Sequence, residues 1–325
     1  TQRLDLAGYD ALLVVCEGLG DLVALRSGAT PTYNLCLTPL RIAFDPHYRA
    51  NYMAKRSLLN RAIVAAGVPA FRALDRIAWR HYRRVFAISE EIRSRILRGR
   101  LTTPDRVSIL NPGIELSAYT PSARVEKRFF VPGRIMWTKN LELAIQAFQR
   151  FRELVPDPQE WRLEIAGIVD QKSQPYLDTL RALAGADPAI EFALRPSDEE
   201  MLERYQRCFA TLFTAFNEDW GLVMIEAMAC AKPVVAVDRG GPREIVRPEH
   251  DGLLAPPEVE TFARAMARLA NDPALYRTLS SNAPRSAQRF GWPAFVAELD
   301  AAIERDLRPT PERARVPAGA VELSR

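Results

Sequence analysis

The sequence predicts an α/β protein made of two successive units, each a doubly wound parallel sheet flanked by helices. Three observations lead there. Short, uninterrupted apolar runs of strand length recur along the chain, among them residues 10–16 (DALLVVC), 106–110, 162–166 and 234–238. Stretches of helix formers lie between them, and that alternation is the pattern of a parallel sheet with crossover helices. The alternation begins afresh after a polar interval, residues 114–127, which holds Pro121 and a cluster of charges and reads as a linker.

The elements follow in order. Residues 10–16 form a first strand, residues 17–27 a turn and short helix, and residues 33–37 a second strand. A long helical region from residue 48 to about residue 82 is expected to break near Gly67 and Pro69, since both residue types are costly inside a helix. Residues 84–89 (RVFAIS) give a third strand. Ser89 then caps the next helix, with Glu90 and Glu91 in the first turn where carboxylates suit the helix dipole. A fourth strand, residues 106–110, ends in the turn Asn111-Pro112-Gly113.

In the second unit, strands at 129–131, 162–166, 190–194, 210–216 and 234–238 alternate with helices at 140–154, 174–183 and 198–208, the last capped by Ser197. The turn Gly240-Gly241-Pro242 opens a short helix at 243–246, and further helices follow at 259–270, 274–290 and 293–306. Domains of residues 1–122 and 123–306 result. Residues 307–325 mix Pro, Arg, Glu and Ala without a face to bury and read as a disordered tail.

Composition narrows the function. With 48% hydrophobic and 26% charged residues the chain reads as an ordinary globular protein, and a net charge of +4 is too small to indicate a nucleic-acid partner. Four cysteines (Cys16, Cys36, Cys208, Cys230) and three histidines (His47, His81, His250) show no metal-ligand spacing. No metal site is expected, and buried thiols in a reducing compartment are. No apolar run reaches the ~18 residues of a membrane span, and no charged-then-apolar leader is seen, so the expected location is cytoplasmic. The chain opens on Thr1 rather than Met, which suggests a processed or truncated product.

The stretch 217–230, NEDWGLVMIEAMAC, carries the sharpest signal. From Gly221 onward it is a helix apolar around nearly its whole circumference, which places it inside a domain. Yet it carries Glu226, and Glu218 stands in the turn before it, about 12 Å away along a helical rise. A carboxylate in an apolar setting implies a partner. Between the two acids, the backbone amides of Trp220, Gly221 and Leu222 would be unpaired at a helix start, a seat for phosphate. Carboxylates that accept from hydroxyls, with anion-binding amides between them, suit a sugar–diphosphate–ribose ligand. The structural alternative has Glu226 bonded to neighbouring backbone and Glu218 solvated.

Glu218-x7-Glu226 within EDWGLVMIEAMACAKPVVA resembles the signature of family-4-type retaining glycosyltransferases of the GT-B fold. The resemblance runs from Asp10 to about Arg305 and is strongest over residues 129–257. It implies two Rossmann-like domains facing a cleft, the first on the acceptor side and the second on the nucleotide-sugar side. Measured against that family the first domain is short, an opening strand with a glycine-rich loop being absent ahead of Thr1. A nucleoside diphosphate sugar is then a co-substrate, and no cofactor is implied.

Further motifs fit the same resemblance. The segment 133–140 (GRIMWTKN) is similar to the family's G-R-x4-K-N, whose Arg and Lys, here Arg134 and Lys139, hold the donor diphosphate beside Gly133. Two cations at a helix N-terminus are the wrong sign for its dipole unless an anion sits between them. Gly240-Gly241-Pro242-Arg243-Glu244 matches a G-G-x-x-E turn, read either as a close approach to the donor or as structural. Leu194, Arg195 and Pro196 fall where family members wall the nucleotide base.

Leu35-Cys36-Leu37-Thr38-Pro39-Leu40-Arg41, with Asp45 and Tyr48 after it, is similar to a block of bacterial mannosyltransferase-like members and sets Leu37 and Arg41 on the acceptor side. Two departures stand out: Leu37 replaces a histidine that reaches the transferred sugar, and Ala231 replaces a common glycine.

The activity so implied is retaining, metal-independent transfer of a hexose, with GDP-mannose the first choice of donor, to a glycan or lipid-linked acceptor. Glu218 would orient the sugar, Arg134 and Lys139 with the Gly221 and Leu222 amides would stabilise the leaving diphosphate, and Glu226 would hold the ribose. From another class, a non-catalytic nucleotide-sugar-binding scaffold is the alternative that Leu37 and the short first domain permit. Finally, residues 72–100 hold Arg72, Arg76, Arg80, Arg83, Arg84, Arg93, Arg95, Arg98 and Arg100. This cluster reads first as a solvated helix face and second as a peripheral seat on anionic membrane lipid.

Overall fold

A computed structural model describes residues 3–54 and 56–308. The first unit is built on four parallel strands, β1 (Leu12–Glu17), β2 (Thr32–Thr38), β3 (Tyr82–Ala87) and β4 (Val107–Ile109), lying side by side in sequence order. That is the arrangement of one half of a doubly wound sheet. β2 is the most enclosed, with Tyr33, Asn34, Leu35 and Cys36 all buried. A 3-10 turn, Gly18–Arg26, follows β1.

Helices α1 (Arg41–Phe44), α2 (Pro46–Ala54) and α3 (Leu58–Trp79) join β2 to β3, and α4 (Glu90–Arg98) follows β3. Ser89 caps α4 as expected, its hydroxyl accepting from the Ile92 amide at 3.1 Å.

The long helical region corrects one expectation. α3 runs unbroken through Gly67 and Pro69, and the break comes earlier, at Ser57, whose hydroxyl accepts from the Asn60 amide. Proline removes the hydrogen bond to the carbonyl four residues back. That carbonyl belongs to Ala65, an exposed residue where water can take the place of the lost donor.

The second unit has six parallel strands, β5 (Arg128–Pro132), β6 (Arg162–Gly167), β7 (Ile190–Leu194), β8 (Ala210–Phe213), β9 (Val234–Val237) and β10 (Gly252–Ala255). Their spatial order is β10-β9-β8-β5-β6-β7, so the chain starts at β5, winds outward to β7, then returns to β8 on the other side. β10 is a four-residue edge strand that the sequence reading lacks, its GLLA run being too short to stand out between a turn and Pro256. β8 ends at Phe213, three residues short of the expected strand.

Helices α5 (Leu141–Phe151), α6 (Gln174–Ala184), α7 (Asp198–Arg207), α8 (Leu222–Ala229), α9 (Pro242–Ile245), α10 (Val259–Asn271) and α11 (Pro273–Ala287) cover this sheet. Ser197 and Glu200 form a reciprocal capping box at α7. A knot of aromatic rings fixes one face: Phe129 stacks on Trp161 at 5.1 Å, and Phe151 meets both edge-on.

The last helix, α12 (Trp292–Leu307), crosses back to the first unit. Arg84 of β3 donates to both carboxylate oxygens of Asp306 at 2.7 and 2.8 Å, and Ile114 pairs with Gly291 where the two crossings meet. The expected tail lies outside the described residues from position 309 on.

Candidate functional site at the strand switch

In a sheet wound in this order, ligands bind beyond the carboxyl ends of the strands where the winding reverses. Here the reversal lies between β5 and β8, so the loops that follow them, residues 133–140 and 214–221, border the crevice. They carry the predicted diphosphate and sugar residues. The loops are tied together by Thr214, whose hydroxyl donates to the Lys139 carbonyl at 2.9 Å, and by the Phe216 amide, which donates to the Thr138 carbonyl.

Lys139 and Glu218 meet, Nζ to Oε2, at 2.7 Å. The ammonium also lies 5.7 Å from the Phe213 ring centre. Arg134 points outward, exposed, and makes no hydrogen bond or ion pair among the described residues. Gly133 has φ +129, a backbone state that side chains rarely adopt. Behind it Gly167 ends β6 so closely that a Cβ there would stand 1.8 Å from the Gly133 carbonyl oxygen.

Helix α8 is buried at Met224, Ile225, Ala227, Met228 and Ala229, as an apolar helix should be, but Leu222, Val223 and Glu226 form an open flank. Met224 is the first residue to donate within it, to the Gly221 carbonyl. The amides ahead of Met224 are those a helix start leaves without an intrahelical acceptor. Gly221 has φ +132, and a Cβ there would strike Met224 at 2.5 Å and Phe213 at 3.2 Å, so packing behind the loop also calls for glycine.

Both acids have the partner that their setting implies, and in the unliganded protein it is a side chain in each case. Glu226 Oε2 accepts from the Tyr205 hydroxyl at 2.5 Å, and Tyr119 supplies a second hydroxyl. Burial raises the Glu226 carboxyl above its usual range, and the two hydroxyls oppose that rise. Tyr205 comes from α7 and Tyr119 from the interval between the sheets, neither singled out by the sequence reading. Each is a lone aromatic in a polar stretch, DEEMLERYQR for Tyr205, and such a residue carries no signal of a carboxylate partner.

The glycine pair after β9 lies against the Glu218 loop. A Cβ on Gly241 would stand 2.2 Å from the Trp220 carbonyl oxygen, one on Gly240 2.5 Å from that of Glu218, and the Gly241 amide donates to Glu218 at 2.9 Å. Glu244 reaches across to the first unit and accepts from the Glu90 amide at 2.9 and 3.0 Å, capping α4 from outside. Pro196, half-buried, follows β7 two strands from β5, next to Arg195 in the left-handed region. Ala231 is left-handed too, φ +58, so its departure from glycine costs about 1 kcal/mol.

From the first unit, Leu37 is half-buried at the end of β2 and packs on the core. Arg41 donates to Asp45 at 2.9 Å and to the Asn217 carbonyl at 3.3 Å, and lies over the Tyr48 ring. Tyr48 in turn meets Trp137 of the other unit, ring centres 5.4 Å apart. The Trp220 indole donates to the Pro112 carbonyl at 3.0 Å and packs edge-on against Phe290, so its side chain turns away from the crevice.

The arginine cluster of residues 72–100 does not form one surface. Arg95 is 1% exposed, Arg72 and Arg76 donate to the carbonyls of Ala43 and Gly99, and Arg84 is paired with Asp306. Their crowding in sequence could not reveal this, because helix, strand and loop residues alternate within the cluster.

Comparison with known proteins places this geometry. Residues 118–286, more than half of the chain, match the family model described as "Glycosyl transferases group 1". A D-inositol 3-phosphate glycosyltransferase of Streptomyces bingchenggensis is 30% identical over 234 residues, 66% of this chain and 51% of that protein. The Alpha-1,3/1,6-mannosyltransferase ALG2 of Mus musculus is 27% identical over 209 residues, 61% of this chain and 48% of that one. The chain thus spans about half the length of the curated relatives it matches.

Among solved structures, sucrose-phosphate synthase from Thermosynechococcus elongatus superposes with a TM-score of 0.75 at 22% identity, covering 92% of this chain and 74% of that one. Anabaena HepE, in complex with UDP and glucose, gives 0.69 at 18% identity, over 90% and 77% of the respective chains. Both likenesses are of fold, the GT-B arrangement of two facing α/β units. By the family match, the chain belongs to the group 1 glycosyltransferases.

Proposed function

We propose that the chain transfers a hexose from a nucleoside diphosphate sugar to a hydroxyl acceptor in glycan biosynthesis, with retention of configuration and without a metal ion. The observation that carries this reading is the meeting of Lys139 with Glu218 at the strand switch, with the unpaired Arg134 on the same loop. In the bound state the diphosphate takes Lys139 and Arg134, together with the Gly221 and Leu222 amides. Fixed donors aimed at a departing diphosphate lower the barrier because they need no reorganisation as charge develops. Freed from Lys139, Glu218 accepts from hexose hydroxyls and sets the anomeric carbon. Glu226, steadied by Tyr205, accepts from the ribose. Gly133, Pro196, Gly240, Gly241 and the Trp220 backbone frame the donor, and Leu37 and Arg41 face the acceptor.

GDP-mannose is the first donor to try, from the resemblance of residues 35–48 to mannosyltransferase-like members and the likeness to ALG2. A UDP-sugar is the second, since HepE was solved with UDP and glucose. A thermal-shift series with UDP, GDP, ADP and dTDP, followed by donor hydrolysis, tests the reading. One nucleotide should stabilise the protein and its sugar conjugates should be consumed. Stabilisation without consumption would favour the binding scaffold instead, and no shift with any nucleotide would end both readings.

The acceptor side suggests a lipid-linked substrate and a peripheral station on the cytoplasmic membrane face, but through α2 and α3 rather than the arginine cluster. No helix of the described residues is long and apolar enough to cross a membrane. Between Asp45 and Asp75 the sequence has no acidic residue and five cations, Arg49, Lys55, Arg56, Arg61 and Arg72. Leu58, Leu59 and Ile63 in that interval are 82%, 71% and 60% exposed. Apolar side chains among unopposed cations suit an anionic bilayer. Sedimentation with phosphatidylglycerol vesicles should carry the protein down, and Leu58→Asp with Ile63→Asp should leave it in the supernatant; equal sedimentation of both would remove the membrane from the scheme.

A further inference from the structure

The loop that bears Glu218 is held from both units, and three of its residues reach the first. Asn217 donates through Nδ2 to Glu91 at 3.1 Å and accepts at its carbonyl from Arg41. Asp219 pairs with Arg95 at 2.8 Å. Trp220 donates to the Pro112 carbonyl. Glu218 alone turns the other way, to Lys139. Adjacent carboxylates at 218 and 219 are thus pulled to opposite sides, each toward its own cation.

Arg95 is the hub of this arrangement. It stands on α4, 1% exposed, and besides Asp219 it reaches Thr38 at 2.7 Å, Glu91 at 3.4 Å and Asp45 at 3.5 Å. Those three partners lie within the first unit and would keep the guanidinium buried and satisfied there. The ion pair with Asp219 is the one contact of Arg95 that crosses. Arg41, sharing Asp45 with Arg95, ties the same loop one residue before Glu218. Behind the loop, Gly240 and Gly241 leave no room for it to fall back, and Glu244 clamps α4 onto the second unit.

We propose that Arg95 is a positioning residue: through Asp219 it sets the place of Glu218, so that the carboxylate reaches its working position only while the two units are closed. This rests on the donor reading of Glu218 given above. The arrangement separates binding from turnover. Nucleotide contacts assigned to Arg134, Lys139 and Glu226 belong to the second unit alone, whereas the sugar contact of Glu218 depends on the first.

Three measurements on the full chain test it: nucleoside diphosphate affinity by calorimetry, donor turnover, and hydrogen exchange of the segment 214–221. They are made on the wild type, Arg95→Met and the near-isosteric Asp219→Asn. Both variants should keep nucleotide affinity within about threefold and lose turnover at least about tenfold, since small misplacement of a sugar-orienting group is costly. Exchange at 214–221 should quicken while that of α5 stays as in the wild type. Should Arg95→Met fail to fold, Asp219→Asn decides alone.

Turnover within about twofold of wild type in a folded variant, or unchanged exchange at 214–221, overturns the proposal. A wild type that neither binds any nucleoside diphosphate nor consumes donor instead overturns the donor reading beneath it.

Discussion

Lys139 Nζ stands 2.7 Å from Glu218 Oε2, joining the loop after β5 to the loop after β8. Both side chains are roughly one-fifth exposed, 21% and 23%. A pair so open to water contributes about 0–1 kcal/mol to folding. Its worth in the proposed reaction is larger, since the ammonium faces charge that grows only as the diphosphate leaves. Lys139→Ala should therefore shift the melting temperature little and reduce turnover by about 10²–10³-fold. Turnover within twofold of wild type would take Lys139 out of the mechanism.

Tyr205 and Glu226 make the second test. Tyr205→Phe removes the hydroxyl from a carboxylate that burial already raises, leaving a half-buried acceptor short of a donor. The expected cost is about 1–3 kcal/mol in urea unfolding. Because the hydroxyl lowers the Glu226 pKa, its loss lets that pKa climb. An ionised carboxylate is the better acceptor for ribose hydroxyls, so nucleotide affinity should fall away with decreasing pH, and in the variant that decline should begin at higher pH. An identical affinity–pH curve in both proteins would separate Tyr205 from the donor site.

The glycines divide by what lies behind them. Gly241→Ala drives a methyl toward the Trp220 backbone, which cannot yield as a flexible side chain would. A loss of about 1–3 kcal/mol is expected, together with reduced turnover, because the Glu218 loop must move. Gly133→Ala meets nothing within 4 Å, so only its positive φ opposes the change. Differential scanning calorimetry of the two variants should show the larger shift for Gly241→Ala; the reverse order would contradict this packing.

A pH test lies in the first unit, away from the crevice. Asp75 on α3 is fully enclosed, with the Trp79 indole near it but no well-aligned hydrogen bond to either oxygen. Burial, and then the neighbouring Asp21, push its carboxyl up to about 7. A raised carboxyl is protonated in the folded state while the unfolded chain has already ionised. The contribution of Asp75 to stability is therefore greatest at acid pH and is lost as pH rises from about 4 to about 7, by several kcal/mol in order of magnitude. Asp75→Asn should flatten that fall and be the more stable protein at pH 8 in urea titrations. A difference between the wild-type and Asp75→Asn midpoints that stays constant over this range would refute the assignment.

The alternation of strand and helix, the capping of α4 and α7 by Ser89 and Ser197, and the family were legible before folding, because each rests on neighbours within a few residues. Hydrophobic period, cap residues and the spacing of Glu218, Glu226, Arg134 and Lys139 are all local. Features decided at a distance were not legible in this way. Gly67 and Pro69 do not break α3, since Ala65 faces solvent there. The closing of Phe213 and Met224 behind Gly221 is likewise invisible until the chain is folded.

Tertiary structure alone decided which charges meet. Arg95 reads as one of nine surface arginines, yet folding buries it against Asp219, more than a hundred positions along the chain. Tyr205, an unremarked aromatic in a polar helix, becomes the donor to Glu226. A side chain's charge is written in the sequence, but its partner depends on which loops the two sheets bring to a common crevice, and that is set by the packing of whole elements.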